Sequence, residues 1–98
     1  MYFSVGIETP NDDTEAYSLV VPALCIGSYR CYSAADTEND IAAMATEAIQ
    51  LMLETMKEDG FPVAELRDSG KLTYRQLADY QDCDNWLLLH VDVSAFMN

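Results

Sequence analysis

The chain has 98 residues, 50% of them hydrophobic, with 17 acidic against 5 basic side chains and a net charge of −12. That length holds one domain with one core, and that hydrophobic content excludes a disordered chain. The charge excludes a nucleic-acid surface built from these residues, because it repels phosphates; it suits a basic protein partner, or solubility alone. No apolar run approaches the ~20 residues of a membrane span. The opening MYFSVGIE lacks the basic and apolar regions of a signal peptide, so a cytoplasmic chain with no membrane contact is expected. Cys25, Cys31 and Cys83 are odd in number and show no CxxC spacing. They read as reduced thiols, with neither a disulfide nor a zinc site.

Taken in order, Phe3–Glu8 alternates apolar with small or polar residues, as a half-buried strand does. Thr9–Glu15 is dense in turn formers, and Ala16–Val21 places Tyr17, Leu19 and Val21 on one face, so the two runs form a β-hairpin. Ser28–Ser33 reads as a third, antiparallel strand. The stretch Asp36–Gly60 has the clearest helical period, with Ile41, Met44, Ala45, Ala48, Ile49, Met52 and Met56 at steps of three and four. Thr37 and Asp40 suggest a weakened capping box, Glu38 and Asp40 suit the helix dipole, and Gly60 with Pro62 ends the element. The predicted helix covers roughly residues 38–59 and is about 33 Å long. Thr73 and Gln76 carry a second capping signature, which predicts a short helix to about Tyr80. Trp86–Val93 is the last strand, with Leu87, Leu89, Val91 and Val93 facing the core.

The predicted order is therefore β-β-β-α-(short α)-β. A helix between strands three and four allows the fourth to cross over and join in parallel. The expected fold is α+β, two-layer, with a mixed four-stranded sheet carrying one long helix. Residues 1–98 read as a single domain.

Chemistry is sparse. The chain has no glycine-rich phosphate loop, nucleophile elbow or HExxH. His90 is the one histidine, inside a strand, and reads as a packed or surface side chain and not as a general base. Glu8, Asp36 and Asp92 fall at or near strand ends, where paired carboxylates can hold two metal ions for phosphodiester hydrolysis. A nuclease is thus one alternative, although nothing basic flanks these acids to attract its substrate. A self-assembling structural module using free strand edges is another. No cofactor is implied.

One combination of pieces is more specific. The first hairpin ends in Val21-Pro22-Ala-Leu24, and a short strand leads to Ala35-Asp36-Thr37. An acidic helix with Glu47-Ala48 follows, then Gly60 and Pro62, then a Leu/Val–Asp–Val strand near Asp92. In this the chain resembles the HicB family of type II antitoxins, with departures at Ala23, Cys25-Ile26 and Ala35. The resemblance implies a partial ribonuclease-H-like fold without nuclease activity. It also implies a small, basic, mRNA-cleaving toxin of the HicA type as partner. A homo-oligomer, dimer or tetramer, is expected, with operator DNA contacted through a C-terminal segment not found in these residues. On this reading toxin contact falls to Glu8, Asp12, Asp13, Glu15 and Tyr17 on the first hairpin, with His90 and Asp92 on the last strand. No residue is catalytic and none binds a metal.

Overall fold

A computed structural model describes residues 1–97. Strands β1 (Tyr2–Glu8), β2 (Tyr17–Val20) and β3 (Tyr32–Ala35) precede helix α1 (Ile41–Glu58); one-turn helix α2 (Lys71–Tyr74) and strand β4 (Asn85–His90) follow. The sheet order is β3-β2-β1-β4. As expected, the body is α+β with one long helix on a four-stranded sheet.

The directions differ from expectation. Every pairing is antiparallel, so the sheet is not mixed. The cause lies in the connection from Asp59 to Asp84. It carries the chain back along the sheet before β4 begins. Asn85 therefore sits opposite Ile7, at the finish of β1, and His90 opposite Tyr2, at its start.

Period two along β1 sends Phe3, Val5 and Ile7 to one face, where Leu19, Val21 and the α1 stripe Ile41, Ala45, Ile49, Leu53 and Met56 meet them. Phe3, Val5, Ile49, Leu53 and Met56 are wholly buried. Each contributes about 1.5–3 kcal/mol gross by leaving water. Leu53 belongs to this stripe although the expected set omitted it, while Met44 and Met52 lie only half-buried on its shoulder. The stripe is turned slightly from the one the sequence suggests.

Element ends also shift. Residues Glu38–Asp40 form a 3-10 turn, and the α-helix proper starts at Ile41. Thr37 Oγ1 donates to Asp40 Oδ2 at 2.9 Å and reaches no backbone N–H, so the capping box is not made. At the other end Gly60 has φ +79, and the Phe61 N–H closes back on Met56 O at 2.8 Å. That is the expected left-handed stop. The third strand begins at Tyr32 instead of Ser28, because Ile26–Tyr29 forms a turn and Cys25 Sγ accepts the Cys31 N–H at 3.4 Å. Thr73 does not cap the short helix. Gly70, at φ +86, precedes it, and Gln76 donates to Leu72 O.

The second face of the sheet is partly covered by the same long connection. Asp68 accepts the Ser4 N–H and the Ser4 hydroxyl, both at 2.7 Å, so buried Ser4 has both donors satisfied. Tyr74 stacks on Trp86 with centroids 6.0 Å apart, and Tyr80 meets Trp86 edge-on at 6.3 Å. Burial pushes the Tyr80 hydroxyl up to about 12. The aromatic group closes over Gly6, where a Cβ would lie 2.7 Å from Cys83 Sγ and 3.0 Å from Trp86 and Val20 carbons.

Candidate functional site

Because β1 ends, β2 begins, β3 ends and β4 begins at one end of the sheet, three connecting segments converge there. Each is acidic. The hairpin supplies Glu8, Asp12, Asp13 and Glu15; the approach to α1 adds Asp36, Glu38 and Asp40; the turn before β4 adds Asp82 and Asp84. None of these segments contains a lysine or arginine. The result is a pole of exposed carboxylates.

Local hydrogen bonds hold this pole in shape. Asp12 Oδ1 accepts the Thr14 N–H at 2.8 Å and also the Thr14 hydroxyl, closing the hairpin loop. Asp84 Oδ1 accepts the Thr9 N–H at 2.8 Å, while its own N–H donates to Ile7 O at 2.9 Å. The hairpin is thereby tied to β4. Hydrogen bonds from Thr14 hold the Asp12 carboxyl below its usual range, and those from Thr9 do the same for Asp84. Both stay charged at neutral pH.

Beside the acids lies a cleft of about 510 Å³, lined by Ile7, Thr9, Tyr17, Glu38, Asn85 and Trp86 among others. Half-buried Tyr17, at the start of β2, lines this cleft next to the hairpin acids. A concave surface of mixed apolar and polar lining beside exposed charges has the general character of a protein interface. The hairpin residues Glu8, Asp12, Asp13, Glu15 and Tyr17 fall here together, as their sequence suggested. Asp36, Glu38 and Asp84 join them, and only the antiparallel course of β4 brings Asp84 in.

His90 and Asp92 lie at the opposite end, about 20 Å away by the rise along β1. There the Tyr2 and His90 rings meet edge-on at 4.9 Å, and the amino terminus approaches His90 Nε2 at 3.4 Å. Asp92 Oδ1 accepts the Ser94 N–H at 3.0 Å. That bond, helped by the amino terminus and His90, lowers its pKa. One rigid partner face does not meet both ends without spanning the whole sheet. The same separation divides the nuclease alternative: Glu8 and Asp36 share the acidic pole, and Asp92 does not. Among the described residues no group of three His, Cys, Asp or Glu is placed to hold a metal ion. Nor is any described helix long and apolar enough to cross a membrane. The three cysteines are free thiols among these residues, and burial pushes Cys31 up to about 12.

Comparison with known proteins adds to this geometry. The family described as HicB-like antitoxin of bacterial toxin–antitoxin systems matches residues 3–98. No curated protein matches. Among solved structures the chain is similar to the Burkholderia pseudomallei antitoxin HicB, with a TM-score of 0.71 and 26% identity over 100% of this chain and 67% of that one. It is similar in fold to a chain of the HicA3 and HicB3 toxin–antitoxin complex, with a TM-score of 0.69 and 20% identity, covering 94% of this chain and 99% of that one.

Proposed function

This chain belongs to the HicB-like antitoxin family, and on that premise we propose that it binds and neutralises a basic, mRNA-cleaving toxin of the HicA type. It does so by covering the toxin's RNA-facing surface. The observation that carries this reading is the acidic pole: three segments of one end supply carboxylates and no cation. A surface that binds RNA is positive, so a cluster of fixed carboxylates is complementary to it. The cleft beside the acids accepts a side chain that anchors the contact, while the rim charges steer the encounter. The fold shared with a chain of a HicA3–HicB3 complex supports a partner of that type.

No residue of the chain performs chemistry in this role; inhibition is occlusion. The contact set is Glu8, Asp12, Asp13, Glu15 and Tyr17, extended by Glu38 and Asp84, and it leaves His90 and Asp92 outside. The setting is the cytoplasm. The domain acts as part of an autoregulating repressor when a C-terminal DNA-binding segment accompanies it, since its own surface repels operator phosphates.

The test is a titration of the chain with a HicA-type toxin. Reversing two charges, Asp12→Lys with Asp13→Lys, is expected to raise Kd at least about 10-fold. His90→Ala with Asp92→Asn is expected to leave Kd unchanged. The opposite pattern moves the contact to the other end of the sheet, and no effect from either pair removes both surfaces.

A further inference from the structure

Where β2 ends and β3 begins, away from the acidic pole, two cysteines are held against each other. We infer that they form an oxidation site: peroxide converts Cys25 and Cys31 to an intramolecular disulfide. The backbone explains why they meet. The Val21 N–H donates to Cys31 O at 3.0 Å, as in an antiparallel hydrogen-bonded pair. In such a pair the second N–H ordinarily returns to the opposite carbonyl. Here Val21 O accepts the Leu24 N–H at 3.0 Å and starts the 3-10 turn Pro22–Leu24. The Cys31 N–H goes to sulfur instead: Cys25 Sγ accepts it at 3.4 Å and lies 4.0 Å from Cys31 O. The turn is buried, and the Cys25 N–H closes on Pro22 O at 3.0 Å, so the position of Cys25 is fixed.

All three cysteines are thiols in the structure as it stands. A bridge needs two Cβ atoms about 3.8 Å apart and closes with the sulfurs about 2.05 Å apart. The Cys25 sulfur already touches the nitrogen bonded to the Cys31 Cα, so side-chain rotation is the movement required. Cys83 does not compete. It packs over Gly6 of β1, two strands and about 10 Å from β3 in the sheet. Access sets the order of events. Cys25 is half-buried, and Cys31 is 3% exposed. Burial, with the Cys25 sulfur adding to it, pushes the Cys31 thiol up to about 12. Cys31 therefore stays protonated and does not start the reaction. The Cys25 thiolate attacks one oxygen of hydrogen peroxide, the O–O bond breaks, and hydroxide leaves and takes up a proton. Cys25 is then a sulfenic acid. Cys31 gives up its proton and attacks the Cys25 sulfur; the S–S bond forms, the S–O bond breaks, and hydroxide departs as water. Each sulfur loses one electron, and the peroxide gains both. The product ties the exit of β2 to the start of β3 and leaves the acidic pole free.

Treatment of the 98-residue chain with hydrogen peroxide, followed by thiol titration and intact mass, tests this. The three free thiols are expected to fall to one, with the mass lower by two hydrogens. Trypsin cuts after Arg30, between the two cysteines, so the bridge is expected as two joined peptides that a reductant separates. Cys25→Ser is expected to abolish closure, and Cys83→Ser to leave it intact. In Cys31→Ser the sulfenic acid has no partner, and dimedone is expected to trap it at Cys25. Three thiols that survive peroxide overturn the inference. So does a bridge that includes Cys83 or a second copy, or oxygen added at Cys25 of the parent chain without closure.

Discussion

Single residues here act mainly through close approach and hydrogen bonding. Gly6 is the clearest case. In a strand a glycine reads as a weak point, and nothing in the sequence says what crosses it. The structure supplies the answer: Cys83 and Trp86 pack where a side chain would stand. Gly6→Ala is expected to cost about 1–3 kcal/mol, seen as a lower midpoint in urea unfolding. Asp84 works at a distance in sequence, tying the hairpin to β4 through the Thr9 N–H. That bond holds its carboxyl below the ordinary value of 3.8. A group whose folded pKa is depressed stabilises above its unfolded pKa and loses that contribution as pH falls through the folded one. The melting temperature of Asp84→Ala is therefore expected to lie below that of the parent chain at pH 7. The gap is expected to close below about pH 4. A gap that is the same at every pH contradicts the bond's ionic character. Neither the Gly6 contact nor the Asp84 bond is readable from a linear pattern, because each joins residues about 75 positions apart.

At the scale of elements, periodicity carried most of the information and missed in two instructive ways. The α1 period was plain, yet the buried stripe turned toward Leu53 and away from Met44 and Met52. A stripe wider than its contact leaves a choice that only the facing sheet makes. Leu53→Ala is accordingly expected to cost about 2–5 kcal/mol in chemical denaturation, and Met52→Ala clearly less. The second miss was the direction of β4. A helix before a strand suggests a parallel crossover, and that holds when the strand starts where the helix ends. Here Asp59–Asp84 includes α2 and two 3-10 turns and doubles back across the outer face, held by Asp68 on Ser4. Its polar, turn-rich composition showed a loop and concealed where that loop goes. The inward faces were legible: Tyr17 and Leu19, and Leu87 and Leu89, turn toward the core, and so do Val21, Val91 and Val93 beyond the strand ends, β4 stopping at His90 and not at the expected Val93.

At the scale of the whole molecule, an even spread of acids along the chain becomes an uneven spread in space. Converging strand ends gather carboxylates from three segments at one pole, while Arg30 and Lys57 lie toward the other, in the loop before β3 and at the last turn of α1. The net charge was visible in composition, and so was the hairpin's part of the pole. The remainder, and the exclusion of His90 and Asp92, depended on which way β4 runs. Under the proposed function, the acidic pole and the cleft beside it act by steering and occlusion. The most direct test is the Kd for a HicA-type toxin measured as ionic strength rises from about 0.05 to 0.5 M. The account predicts binding that weakens steeply with salt, through a slower association rate. Tight binding that does not change across that range contradicts it.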